Sequence, residues 1–311
     1  MHKQLSREEL LHLIKFYEQC YFTFDDPIPF KADLQVYPVL VKDYYKFYAC
    51  VDCIRMDKNA TMEGVSMSDL GYLLFCCDKE ETGQIVYSKL IQLIELIFRI
   101  QNGKICPKCG SLITYADINK ELSKMDLIEN PKEKENVLRK YVEHVTICEN
   151  CSDENNIVQR EDAIRYINEK GNQRIIINNI EFDKNDFNLL KNIVLYYNIP
   201  DYDDEYIDPE LKAELEEVAR LKNPNQVQPS LEKQMSCIIS ASSVYNYETI
   251  KNISIRKLVL LLRTIDARLH YFAYRQGELS GREKTMLLYI VRCIENLFNC
   301  WKKLNNILTT T

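Results

Sequence analysis

Two Cys-x-x-Cys pairs, Cys106-Pro-Lys-Cys109 and Cys148-Glu-Asn-Cys151, are separated by 38 residues in a chain of 311. No other feature constrains the fold as tightly. Two residues between thiols let the backbone turn so that both sulfurs reach one ion. Gly110, just after the second thiol, suits a positive φ and frees N–H groups to stabilise thiolate charge. Four thiolates at about 2.3 Å from a metal make a closed tetrahedral site with no position left for water or substrate. The pattern therefore predicts a structural Zn²⁺ on Cys106, Cys109, Cys148 and Cys151, with buried free thiols as the alternative. The separation exceeds the usual ribbon spacing, so a helix is expected inside the loop. "NPKEKENVLRKYVEHV", with Pro131 near its first turn, is the candidate. His144, four residues before Cys148, is read as a surface histidine on that helix rather than a substitute ligand.

The remaining cysteines bear on compartment. The chain has 12 in all, yet its N-terminus, "MHKQLSREELLHLIKF", is a charged amphipathic stretch rather than a signal peptide. No apolar run approaches the ~18 residues of a membrane span. A reducing cytosol is the expected setting, where paired cysteines bind metal more often than each other. Cys50-x-x-Cys53, with Cys76-Cys77 downstream, raises a second four-cysteine site. "YACVDCIRM" reads as helix and lacks the Gly and Pro of a knuckle, so buried helical cysteines are the favoured reading. The vicinal pair would be redox-sensitive only with activated thiolates, and nothing nearby supplies the activation.

Along the rest of the chain the patterning is mostly helical. Ser6-x-x-Glu9 forms a capping box ahead of Leu10, Leu13, Ile14 and Tyr17. "KADLQVYPVLVKD" alternates Leu34 and Val36, with Pro38 permitting only an edge strand or an extended approach. Asp43 caps "YYKFYACVDCIRM", and helices interrupted near "DKEETGQ" follow from Met67 to Ile100. Ile175–Ile177, the turn residues Asn178-Asn179, then Ile180 and Phe182 predict a hairpin, after which Asp183 caps "KNDFNLLKNIVLYYN". Residues 201–217 hold nine acids and one Lys, and "RLKNPNQVQPS" reads as a linker. Ser254 caps a helix with Leu258, Leu261, Leu262, Ile265, Leu269 and Phe272 on one stripe. "RQGELSG" is read as a turn into a second stripe, Met286, Ile290, Ile294, Leu297, Trp301 and Leu304.

These signals give a mainly α (α+β) chain: helical bundle regions, a small β-hairpin and an inserted four-cysteine zinc ribbon. Its regions are 1–100, N-terminal helical with an edge strand; 101–158, the zinc-ribbon module; 159–220, hairpin, helix and acidic segment; and 221–311, a C-terminal helical domain.

Function classes fall away in turn. There is no G-x-x-x-x-G-K-[ST], G-x-G-x-x-G or G-x-S-x-G, and the four histidines lack H-E-x-x-H spacing. The acidic cluster from Asp201 to Asp208 lacks the Gly and the position-twelve Glu of an EF-hand loop. It reads as a solvated segment suited to a basic surface, such as the tail from 250 onward with its eleven Lys/Arg and four Asp/Glu. A helix-interior packing role accounts for His270. The expectation is a non-enzymatic protein. Residues 101–160 carry nine Lys/Arg and ten Asp/Glu, without the basic excess of a phosphate-tracking surface, which argues against nucleic acid as a partner.

Several stretches in order, "PIPFKADLQVYPVLVKDYYKFYACVDCIRMDKN" with "VSMSDLGYLLF", "IIINNIEFDKNDFNLLKNIVLYYNIPDYDDEYIDPELKAELEE" and "PSLEKQMSCIISASSVYNYETIKNISIRKLVLLLRTIDARLHYFAYRQGELSG", carry a resemblance. Together they resemble a family from large tailed bacteriophages, similar to tail-assembly chaperones and baseplate-hub assembly proteins. The likeness spans about residues 27–281 and rests on packing and turn motifs. It implies a non-enzymatic protein of virion morphogenesis, made in the host cell cytoplasm, open to incorporation in the virion and to self-association, and binding other phage tail or baseplate proteins. The rival reading is a zinc-ribbon nucleic-acid-binding or transcription-related phage protein. After Gly281 the chain departs from the family pattern, continuing as a long helix over 283–307 instead of a hydrophobic-basic tail.

Overall fold

Where short apolar runs alternate with Asn, Asp and Gly, the chain turns back on itself, and where apolar residues recur every three or four it coils. The computed structural model describes residues 6–128, 130–153, 156–169, 171–200, 202 and 230–280. Helix α1 (Arg7–Tyr17) starts at the Ser6 box: Ser6 N–H donates to Glu9 Oε2 at 2.7 Å, and Glu9 N–H donates to Ser6 Oγ at 3.2 Å. A hairpin of β1 (Ile28–Lys31) and β2 (Leu34–Val36) follows, with Leu34 and Val36 buried and Gln35 exposed. Helices α2 (Tyr44–Cys50), α3 (Asp52–Arg55), α4 (Asp69–Cys77) and α5 (Gly83–Phe98) come next. A 3₁₀ turn over Val41–Asp43 leads into α2, so Asp43 lies within that turn.

The chain divides into two compact units. The larger contains α1, β1–β2 and everything from Lys46 to Val194. Its core is built from Leu70, Leu73, Leu93, Ile94, Ile97 and Phe182, all nearly inaccessible to solvent. Three more antiparallel strands close over it: β6 (Ile164–Glu169), β7 (Asn172–Ile177) and β8 (Ile180–Phe182), in the order β6-β7-β8. The β7–β8 turn is Asn178-Asn179 with φ of 48° and 68°, the left-handed pair that a two-residue hairpin needs and that Asn tolerates. Asp183 then caps α8 (Lys184–Asn198), its Oδ1 accepting from Asn185 N at 2.8 Å and Asp186 N at 2.9 Å. At the base of α4, Asp69 takes Lys191 Nζ at 2.7 Å and Lys58 Nζ at 3.3 Å. Burial works against that carboxylate, but the two lysines outweigh it and hold the group below its ordinary range.

The same unit holds the segment between the cysteine pairs. Strands β3 (Gly103–Ile105), β4 (Leu112–Thr114) and β5 (Glu161–Asp162) form a sheet ordered β4-β3-β5, and α6 (Tyr115–Met125) and α7 (Pro131–Thr146) fill the long loop. Asn130 caps α7, accepting from Lys132 N at 3.1 Å, with Pro131 in the first turn. The molecule is a mixed α+β protein with small antiparallel sheets.

In the second unit, α9 (Leu231–Ala241), α10 (Tyr247–Ile250) and α11 (Ile255–Ser280) surround Val41, Ile238, Ile250 and Leu258. Ser254 caps α11 through its Oγ, which accepts from Lys257 N at 3.0 Å. The run "RQGELS", read as a turn, instead continues α11 through Ser280. Gly277 is a weak breaker, costing a helix only about 1 kcal/mol relative to Ala. The acidic run 201–217 (Tyr202 apart), the linker after it and the stripe from Met286 to Leu304 lie outside the described residues. No helix among the described residues is long and apolar enough to cross a membrane.

Candidate metal centre

Strand β3 delivers the first pair. Its edge is set by Gly103, where a Cβ would lie 2.1 Å from the carbonyl oxygen of Ile113, so only Gly lets β4 come this close. Beyond Ile105 the chain turns through Cys106-Pro107-Lys108-Cys109-Gly110. Gly110 N–H donates to the Cys106 carbonyl at 3.0 Å and Cys106 N–H to the Ser111 carbonyl at 3.0 Å, closing the knuckle. Gly110 has φ of +70°, the left-handed value expected of it. The N–H aimed at a sulfur belongs to the next residue, Ser111, which helps draw Cys109 toward its thiolate.

Helix α7 delivers the second pair. It ends at Thr146; Cys148 N–H donates to the Val158 carbonyl at 2.9 Å, and Arg160 N–H donates to the Thr146 carbonyl at 2.7 Å. The returning strand thus clamps the helix end on both sides of Ile147. Cys151 and Ser152 N–H groups both donate to the Cys148 carbonyl, at 3.1 and 3.0 Å. This second knuckle turns without a glycine.

The four sulfurs Cys106, Cys109, Cys148 and Cys151 converge, all within 4.8 Å of one another. They are the single group of three or more His, Cys, Asp or Glu with metal-holding geometry among the described residues. A tetrahedron with metal–sulfur bonds of about 2.3 Å has edges of about 3.8 Å. The Cys109–Cys148 sulfur distance is 3.7 Å, close to such an edge, and all four sulfurs lie within 4.8 Å of one another. Cys106 and Cys148 are buried, Cys151 is half-buried and Cys109 is exposed, giving an inner and an outer pair.

Three residues around the cluster were not singled out in the sequence. Ser111 Oγ stands 3.2 Å from Cys109 Sγ and 3.7 Å from Cys148 Sγ. Arg160 Nη1 donates to that same Oγ at 2.8 Å and to the Ser111 carbonyl at 2.6 Å. Ser111 Oγ, held by the Arg160 guanidinium, thus lies within hydrogen-bonding reach of both sulfurs. Asn179, in the β7–β8 turn, donates from Nδ2 to the Cys106 carbonyl at 3.2 Å. Ser111 follows the knuckle glycine and was findable there; Arg160 and Asn179 reach the site only through the fold.

These neighbours share protons unevenly. The Ser111 hydroxyl and then its N–H pull Cys109 down to about 6. Burial pushes Cys148 upward, but hydrogen bonds from Ser111 and Cys106 outweigh it and the thiol is lowered overall. Cys151 is pushed up to about 12, first by its bond to Cys109 and then by burial. A cation entering the cluster therefore finds Cys109 readily ionised and must displace the proton that Cys151 retains.

The other candidates part from this group. Cys50, Cys53, Cys76 and Cys77 are all buried in α2, α3 and α4, and Cys50 Sγ donates to the Phe47 carbonyl at 3.3 Å. Burial pushes Cys50 and Cys77 to about 12 and Cys53 higher still. His144 turns away from the sulfurs, its Nδ1 lying 2.9 Å from Glu149 Oε1 with the ring more than half exposed. His270 Nε2 lies 3.9 Å from Asp266, one helical turn back.

Comparison of the chain with protein-family models, with curated proteins and with solved structures found no match.

Proposed function

We propose that the chain is a non-enzymatic assembly protein in which Cys106, Cys109, Cys148 and Cys151 hold a structural Zn²⁺ in a ribbon-like module. The observation that carries this reading is the convergence of four thiols into one set that fills a tetrahedral sphere. All four donors belong to the protein, and none is left for water or a substrate to replace. Bound there, zinc supplies folding free energy rather than a reactive group. The chain's own part is to position the donors: β3 and the β5 end of the returning strand fix the two knuckles, and Arg160, acting through Ser111, sets positive charge beside a site whose four thiolates would exceed the ion by two charges.

The resemblance of residues 27–281 to tail-assembly chaperones and baseplate-hub assembly proteins extends the proposal to phage virion morphogenesis in the host cytoplasm. Its partner would then be another tail or baseplate protein, gripped by surface rather than by chemistry. Co-expression with the tail and baseplate proteins of the same phage, followed by affinity purification, tests this. A stoichiometric complex that survives gel filtration supports the reading. Purification of the chain alone from every such mixture sinks it.

A further inference from the structure

Helix α11 is longer than the element that covers it. At 1.5 Å per residue, its 26 residues span about 39 Å, while the 11 residues of α9 span about 16 Å. The apolar stripe accordingly changes character along its length. Leu258 is buried, and Leu261, Leu262 and Ile265 pack against the same cluster. One and two turns farther on the same face, Leu269 and Phe272 are 47% and 48% exposed. The uncovered end of this stripe calls for a further apolar partner.

The sequence just beyond offers one. Met286, Ile290, Ile294, Leu297, Trp301 and Leu304 recur at helical spacing, and no charged residue interrupts that face. Reflected about Gly281, the two stripes coincide: Ile290 falls opposite Phe272, Ile294 opposite Leu269, Leu297 opposite Ile265, Trp301 opposite Leu261 and Leu262, and Leu304 opposite Leu258. Every pair has its midpoint at Gly281 or half a residue past it. Antiparallel helices joined by a short turn pair in this mirrored way, and Gly is the residue that most readily makes the turn.

We propose that residues 286–304 fold back from Gly281 and dock on the stripe of α11, forming an intramolecular helical hairpin in this register. The docked segment covers Leu269 and Phe272. The opposite face of α11, with Leu260, Tyr271 and Tyr274 exposed, stays open.

Trp301 is the sole tryptophan, so its fluorescence in the full-length chain reads the docking directly. The expected result is blue-shifted emission shielded from acrylamide, unchanged on dilution, in a protein that light scattering shows to be monomeric. Leu269→Asp should remove the shift and raise quenching, Ile294→Lys should do the same, and the two together should recover much of it. Tyr271→Asp, on the far face, should leave the emission where it was, and circular dichroism checks that each variant keeps its helices. Water-like emission in the unaltered chain overturns the proposal. So does a blue shift that disappears on dilution as a dimer dissociates, which would put a second copy on the stripe. Single variants that do not move the emission overturn the register.

Discussion

Two groups of four cysteines, one holding two Cys-x-x-Cys pairs and the other one such pair with the adjacent Cys76-Cys77, behave in opposite ways in this molecule. Cys106, Cys109, Cys148 and Cys151 leave regular structure at two knuckles and turn their sulfurs toward a common centre. Cys50, Cys53, Cys76 and Cys77 stay within helices and are buried among apolar side chains. Burial lifts Cys50, Cys53 and Cys77 far above neutrality, so these three thiols remain protonated and act as small hydrophobes. Serine and backbone donors lower Cys109 and Cys148, so part of the cluster is ready to meet a cation. Spacing alone therefore does not gather thiols around one centre. The left-handed Gly110, the donors around Ser111 and the strand that clamps α7 make the difference.

The sharpest way to break this contrast is to remove a buried thiol of the cluster. Metal-binding free energy is folding free energy in small zinc modules, roughly 10–16 kcal/mol. Cys148→Ser should therefore lose the metal and abolish amide protection across residues 103–162, while α9 and α11 keep theirs. Hydrogen exchange by mass spectrometry checks both halves. Protection retained around β3 and α7 would show that the thiols are not the staple.

A smaller loss is expected at the foot of the helix that carries Cys76 and Cys77. Asp69→Asn removes the partner of Lys191 and Lys58 and should cost about 1.5–3 kcal/mol at neutral pH, typical of charge-assisted hydrogen bonds. The folded carboxyl lies below its ordinary value, so its contribution is complete above about pH 4 and disappears as pH falls through the lowered value. Urea melts of both proteins should therefore converge on acidification. A gap that stays constant with pH would contradict the ion-pair origin.

Next comes the support around the cluster. Ser111→Ala should weaken metal affinity by about 10–100-fold, the usual effect of losing an outer hydrogen bond to a ligand, without unfolding the metal-loaded protein. Competition with a chromogenic chelator measures it. The smallest effect belongs to the helical thiols: Cys53→Ala should cost about 1 kcal/mol, as an ordinary core truncation does, and leave metal content untouched. A loss of metal in that variant would join the two groups and end the contrast.

Much of this arrangement was legible in the chain. Ser6, Ser254, Asn130-Pro131 and Asp183 announced their helices because capping is a local act of one side chain on nearby N–H groups. Asn178-Asn179 announced its hairpin for a similar reason, since few residues accept two consecutive positive φ values. Strand β6 was harder to see, for "IRYINE" mixes polar and apolar residues and owes its extended shape to pairing with β7. Helix α6 was also missed, although Thr114 caps it through Asp117 N at 3.1 Å. The four-cysteine cluster could be read because two knuckles repeat one short pattern. Arg160 and Asn179 could not, since their link to the cysteines exists only after the sheets have formed.

The central claim is that four particular thiols share one metal ion. Purified full-length protein should contain about one zinc per chain by elemental analysis. With native protein, mass-spectrometric mapping of alkylation should find Cys109 and Cys151 unmodified until a chelator is added, despite the exposure of Cys109, and modified at once afterwards. Protein without stoichiometric metal, or with Cys109 and Cys151 alkylated at the same rate before and after chelation, would contradict the account.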